Sequence, residues 1–267
     1  MFPRLFEIGP FSLPTYGVLV ALGFLLGLHL AGRLARRVGM DQERVTNLGV
    51  YIALSAIIGA KVFYILSEWD YYAADWSRLF SLSSLQAGGV FYGGLLAALA
   101  VTVVYVRKNH MDWLLTADVF APSLAAGHAL GRLGCFAAGC CWGKPTDMPW
   151  GVMFTSQLAN DYVGVPLNIH LHPTQLYESF GTGLIALFLF WRFFKPHAAG
   201  TIIGWYLILY SSFRFVIEFY RADQARPLLS DSVSATQWVA VGLIILGITI
   251  LARNRNRHPV MPAEQAG

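Results

Sequence analysis

Three cationic side chains interrupt long apolar runs: Lys61 in Gly59-Ala60-Lys61, Arg132 in Gly131-Arg132-Leu133-Gly134 and Arg214 in Ser212-Phe213-Arg214-Phe215. A fixed positive charge at membrane depth is costly unless something pairs with it, so such residues mark a binding or reaction site. They point to an anionic ligand held within the bilayer, with a phospholipid head group as the natural candidate. Arg132 projects from a stretch of small residues, Gly127 and Gly131 one turn apart, that lets another backbone or a bulky lipid approach closely. Its guanidinium is always charged and presents a planar fork suited to phosphate oxygens. An ion pair with Glu178 or Glu218 would satisfy the same charge, and the sequence does not choose between the two. His128 lies one turn earlier on the same face. A lone histidine at that depth more often makes a structural interhelix hydrogen bond, and it stays outside the expected site.

Two further stretches concentrate polar chemistry. His172-Pro173-Thr174-Gln175-Leu176-Tyr177-Glu178 opens an apolar helix, with Pro173 suited to the first turn, where its missing N–H costs nothing. Hydrogen-bonding side chains there must meet partners from other helices or a ligand. Tyr210 to Arg221 repeats the theme: Arg214 and Glu218, at i and i+4, could neutralise one another, while Arg221 is expected to snorkel toward head groups or water.

The elements that must hold these residues are membrane helices. The chain is 56% hydrophobic and only 13% charged, with a mean hydropathy of +0.52, which describes a polypeptide that folds in lipid. Apolar stretches occupy roughly 14–32, 46–66, 88–106, 113–133, 174–194, 200–220 and 233–252, each close to the roughly 20 residues that a spanning helix needs. The expected fold is therefore all-α and polytopic, a single transmembrane domain over 1–252 with about seven helices. The first is read as a retained helix, because no small-residue cleavage site follows it.

Every second loop is basic: Arg33, Arg36, Arg37 and Arg44 after the first span, Arg107 and Lys108 after the third, Arg192 and Lys195 after the fifth, Arg253, Arg255 and Arg257 after the seventh. The intervening loops hold Glu68, Asp70, Asp75, Asp147, Asp161, Asp223 and Asp231. The positive-inside rule then places the N-terminus outside and the C-terminus in the cytoplasm. The net charge of +4 is topological, spread over short loops with no long basic run, and no nucleic-acid partner is expected.

One connection is long, from about 134 to 171 on the outer side, and loops of that size are usually functional. It contains all three cysteines. Cys135, Cys140 and Cys141 lack a second cysteine or histidine pair at ligand spacing, which argues against zinc. Facing an oxidising compartment, Cys135 with Cys140 or Cys141 is expected to form a local disulfide, leaving one thiol over. No metal or other cofactor is expected. Trp69, Tyr71, Tyr72, Trp76, Trp142, Trp150 and Trp238 read as outer-interface anchors, and the tail, 253–267, as disordered cytoplasmic chain.

Together these stretches resemble one family. Gly131-Arg132-Leu133-Gly134-x-Phe136-x-x-Gly139-x-x-Trp142-Gly143, the His172 to Glu178 stretch, and Phe213-Arg214-x-x-x-Glu218-Phe219-x-Arg221 are similar to prolipoprotein diacylglyceryl transferases. Tyr16-Gly17, Gly88-Gly89-x-x-x-Gly93-Gly94-Leu95 and Gln237 add to the match. The resemblance implies a multi-pass enzyme of the bacterial inner membrane with its active site toward the outer side. Its substrates would be phosphatidylglycerol and a prolipoprotein signal peptide bearing a lipobox cysteine. Its reaction would move the diacylglyceryl group onto that thiol and release glycerol phosphate. The pattern breaks in places: Tyr92 stands where the family usually has histidine, Cys135 replaces an asparagine, Cys140 replaces a glutamate, and Lys61 replaces an arginine.

Such a transfer needs developing charge on the leaving phosphate ester to be stabilised, which preorganised cations in a dry site do best. Arg132 and Arg214 are the expected phosphate clamp, with Lys61 a weaker third. His172 is the candidate base for the acceptor thiol, and Tyr92 could relay or orient a proton. Tyr16, Gly93, Gly94, Cys135, Gly143, Gln175, Tyr177, Glu178, Tyr210, Glu218 and Arg221 are expected to contact substrate. The rival readings are a lipid or solute carrier, which would favour inverted repeats and paired broken helices, and a thiol oxidoreductase using the cysteine cluster.

Overall fold

A computed structural model describes residues 2–8, 11–81, 84, 89–222, 227–230 and 233–254. Asp223, Asp231, Gly88, Arg255, Arg257 and the expected tail beyond 254 lie outside the described residues. The chain divides into two compact units, Met1–Gly39 with Leu114–Gly267, and Met40–Trp113.

In the first unit a hairpin of β1 (Arg4–Ile8) and β2 (Phe11–Pro14) leads into α1 (Thr15–Arg37). In the second, α2 (Gln42–Ser67) starts at Asp41, whose carboxylate accepts from the backbone N–H of Glu43 and Arg44, satisfying donors that the helix itself cannot. A short α3 (Trp69–Ala73), a 3₁₀ turn (Trp76–Phe80) and α4 (Phe91–Lys108) follow. Helices α2 and α4 pack backbone to backbone through glycines. A Cβ on Gly93 would lie 2.6 Å from the Gly59 carbonyl oxygen, and one on Gly94 would lie 2.8 Å from that of Ala56.

The first unit resumes with α5 (Trp113–Ala138), then β3 (Val152–Met153), α6 (Gln157–Val163), β4 (His170–Leu171), α7 (Thr174–Phe193) and α8 (Thr201–Ile217). A 3₁₀ turn (Glu218–Tyr220), the strands β5 (Pro227–Ser230) and β6 (Val233–Ser234), and α9 (Ala235–Asn254) complete it. Gly23 and Gly127 let α1 and α5 touch: a Cβ on either would fall 2.7 or 2.8 Å from the other's carbonyl oxygen. The N-terminus of α8 is capped from α5 by Asp118, whose carboxylate accepts from the N–H groups of Gly200 and Ile203, both at 2.7 Å.

The connection expected over 134–171 is more ordered than a loop. Helix α5 runs on to Ala138, and the rest folds around a small core of Phe154, Ala159, Val165 and Leu171, flanked by Phe136 and Trp142. Five helical segments are long and apolar enough to cross a membrane: Thr15–Arg37, Gln42–Ser67, Phe91–Lys108, Thr201–Tyr220 and Ala235–Asn254. Trp113–Ala138 and Thr174–Phe193 are also long helices, and they carry the buried Asp118, Thr174, Gln175 and Glu178. Large apolar residues such as Ile57, Ile58, Leu187 and Val239 are exposed. That pattern suits lipid, since a soluble monomer rarely shows extended apolar surface.

Candidate active site

Helices α5 and α7 bring Arg132 and Glu178 together. Arg132 Nη2 lies 2.6 Å from Glu178 Oε2, and the Glu178 side chain is 1% exposed. Arg221, from the extended residue that follows the 3₁₀ turn, approaches the other carboxylate oxygen at 3.1 Å. Two guanidinium groups thus share one buried carboxylate. The ion-pair alternative weighed from sequence is the arrangement adopted, with a second arginine that the sequence did not pair to Glu178. The snorkelling expected of Arg221 is not seen: its side chain is 8% exposed because the carboxylate holds it inward.

The other expected clamp residue, Arg214, also meets a carboxylate. Arg214 Nη1 meets Glu218 Oε2 at 2.6 Å along α8 and its 3₁₀ extension, and Glu218 Oε1 also accepts from Ser234 Oγ at 2.8 Å. Gln237 caps α9 by accepting from the Ser234 N–H at 2.9 Å. These bonds tie the start of α9 to the end of α8.

His128, set aside from the sequence, belongs to the network. Arg132 Nε donates to His128 Nε2 at 3.1 Å, so that nitrogen keeps its lone pair and the ring is neutral with its proton on Nδ1. Its face packs against Tyr210, which stacks on Tyr206. The signal was present, one helical turn before Arg132, but spacing alone does not separate a supporting histidine from an incidental one.

His172 stands where the folded connection after α5, the cap, meets α7. Its Nδ1 is 3.1 Å from the Tyr177 hydroxyl, which accepts from Trp150 Nε1 at 2.7 Å, and its ring packs edge-on against Tyr220. Trp150 is thus part of the site's scaffold. Gly143 makes this junction possible. A Cβ there would fall 2.6 Å from the His172 carbonyl oxygen and 2.8 Å from that of Tyr220. The backbone pairs across it, Gly143 N–H to His172 O at 3.0 Å and Lys144 N–H to Tyr220 O at 2.8 Å.

The three cysteines converge as well. All are free, and their Sγ atoms lie within 4.8 Å of one another. The expected disulfide is not formed, and the spacing argument against a metal counted pairs along the chain, whereas the fold gathers the thiols at one point. Arg132 Nη1 reaches Cys135 Sγ at 4.0 Å. Hydrogen bonds from Cys135 and Cys140, and then Arg221, hold the Cys141 thiol below its ordinary range. Tyr16 is half exposed at the start of α1, its backbone against Gly134.

Lys61, Tyr92, Gly93 and Gly94 belong to the second unit. Lys61 donates to the Ser84 carbonyl and lies over the Tyr64 ring. Tyr92 is 70% exposed beside Phe91. Gly93 and Gly94 serve the α2–α4 packing: a Cβ on either would meet Phe63, Gly59 or Ala56. Tyr72, expected as an interface anchor, is buried and bonded to Ser84 through its hydroxyl.

Helices with exposed apolar surfaces, together with buried guanidinium–carboxylate pairs beside a thiol cluster, describe a multi-pass α-helical membrane protein. A profile of the prolipoprotein diacylglyceryl transferase family matches residues 3–253. The phosphatidylglycerol–prolipoprotein diacylglyceryl transferase of Clostridium tetani is 34% identical over 257 residues, covering 96% of this chain and 99% of the relative. Relatives of the same name from Synechococcus elongatus (36% identical, 92% of this chain and 85% of the relative) and Vibrio cholerae (34%, 96% and 92%) are similar at the same level. The chain belongs to the prolipoprotein diacylglyceryl transferase family.

Proposed function

We propose that this chain transfers the diacylglyceryl group of phosphatidylglycerol to the lipobox cysteine thiol of a prolipoprotein, releasing glycerol phosphate, as the first step of bacterial lipoprotein maturation. The observation that carries the reading is the buried trio of Arg132, Arg221 and Glu178, two guanidinium forks side by side whose N–H donors suit the oxygens of a phosphodiester. As sulfur displaces the phosphate, the leaving group gains a second negative charge. Fixed guanidinium donors in a water-poor site stabilise that change.

The clamp is therefore assigned to Arg132 and Arg221. Arg214, paired with Glu218, acts by fixing the end of α8 that delivers Arg221. His128 orients Arg132 through its Nε. His172, joined to Tyr177 and Trp150, is the group in the cap whose chemistry suits moving the acceptor's proton. Support for the membrane arrangement comes from the alternating basic loops and from seven long helices among the described residues. In this reading seven spans cross the inner membrane, the N-terminus lies outside, and the Arg132–Glu178 site faces the outer side.

The test is complementation of a transferase-depleted bacterium, with mass spectrometry of a model lipoprotein. Arg132→Gln and Arg221→Gln should insert normally yet lose transfer by about 10²–10³-fold. Full lipidation by Arg132→Gln would overturn the clamp.

A further inference from the structure

The thiol cluster is built more deliberately than its spacing along the chain suggests. Cys135 ends a turn of α5, Gly139 reverses the chain at φ 80°, and Cys141 adopts φ 59°, a left-handed conformation that residues with a Cβ rarely hold without support. The support comes from α7. Thr174 Oγ1 donates to the Cys141 carbonyl at 2.8 Å and Gln175 Nε2 to the Cys140 carbonyl at 2.7 Å, and both side chains are fully buried. Gln175 Oε1, also buried beside the cluster, has no hydrogen-bond partner among the described residues. Two reversals of the backbone, each pinned from a neighbouring helix, aim three sulfur atoms at one point within 4.8 Å of one another.

Three thiolates on a zinc ion with Zn–S bonds of about 2.3 Å sit about 3.8 Å apart, so closure asks each sulfur to move by less than about 1 Å. Sulfur-only donors select a soft or borderline ion, and three protein ligands with one position left open are the arrangement of a catalytic zinc site. The neighbours say what the open position would face. Arg132 reaches Cys135 and Arg221 favours the Cys141 thiolate, and these are the two guanidinium groups that hold Glu178.

We propose that Cys135, Cys140 and Cys141 bind one zinc ion whose fourth position takes the acceptor thiol. The inference rests on the transfer reaction proposed above and adds how its nucleophile is made. A free thiol is only a few per cent ionised near neutral pH, whereas a thiol bound to zinc is deprotonated outright. The bound sulfur attacks the glycerol carbon of phosphatidylglycerol, forming the C–S bond as the C–O bond to phosphate breaks with its electron pair on oxygen. The proton lost by the thiol ends on the released phosphate monoester. The thioether product, neutral and a weak ligand, leaves the metal, and no oxidant or reductant enters the balance.

The experiment uses the full chain in phosphatidylglycerol-containing micelles, reduced and free of oxygen, stripped with chelator and titrated with Zn²⁺ or Co²⁺. One zinc per chain and a thiolate-to-cobalt charge-transfer absorption are expected, both lost in Cys135→Ser and in Cys141→Ser. Transfer to a lipobox peptide should fall roughly tenfold or more on stripping, the gain expected from converting a few per cent thiolate into all of it, and return with zinc. Because the wild-type titration needs no variant, misfolding of a serine variant cannot mask the answer. Full transfer by metal-free protein without a charge-transfer band, or by protein carrying a disulfide among these cysteines, overturns the zinc site and leaves the transferase reading intact. A zinc-loaded chain that transfers nothing in any metal state overturns the transferase reading, and with it the role given to the metal.

Discussion

Replacing Glu178 with glutamine removes a carboxylate that two buried guanidinium groups share. Glutamine keeps the shape of the side chain and one acceptor oxygen but takes away the charge, so the cluster becomes more positive by one unit. Water cannot make up the difference, because Glu178 is 1% exposed and Arg132 and Arg221 only 15% and 8%. Breaking a buried pair by removing one partner costs about 3–5 kcal/mol, and here a single change breaks two. Arg132→Gln or Arg221→Gln leaves Glu178 one partner each, so either should cost less than Glu178→Gln. Unfolding free energies measured in mixed micelles test the order, and the cycle of Glu178→Gln with Arg221→Gln should show a coupling of about 1–3 kcal/mol. If Glu178→Gln matches wild type, or the coupling is zero, the shared-carboxylate reasoning fails, and the charge argument for the phosphate clamp fails with it.

Two other expectations follow from the same structure. Burial holds His197 below the ordinary imidazole range, an effect to which Arg192 adds and which the Lys195 carbonyl opposes, while Asp118, 4.0 Å away, is already engaged by two backbone N–H groups. The folded state then binds fewer protons than the unfolded one. The stability from neutral His197 is complete above the unfolded value of about 6.5 and is lost progressively as pH falls toward the folded value; stability that is flat in this window, or equally steep in His197→Gln, would contradict it. For topology, a reporter that is active only in the cytoplasm, fused after residue 254, should be active, and the same reporter placed at 148 should be silent.

Much of the architecture was legible in order along the chain, because a bilayer imposes a length and a composition on every crossing segment. The long helices fall close to the apolar runs, and the fourth and fifth expected spans, 113–133 and 174–194, are the helices Trp113–Ala138 and Thr174–Phe193. The polar stretches at Arg132, at His172 to Glu178 and at Arg214 to Arg221 do supply the buried network. Who pairs with whom was another matter. Arg214 and Glu218 are four residues apart and could be matched locally, but Arg221 meets a carboxylate on a different helix 43 residues away, and no periodicity reports such a partner.

The residue types of this chain, by themselves, determined that it lives in lipid and that cations sit at depth, since hydropathy and fixed charge are properties of single side chains. Tertiary structure alone decided that two arginines divide one glutamate, that His128 supports one of them, and that three cysteines read as a disulfide and a spare thiol converge on a common point. Those outcomes depend on the angles at which helices cross and on two left-handed turns pinned from a neighbouring helix, and such geometry is a property of packed pairs that no single position encodes.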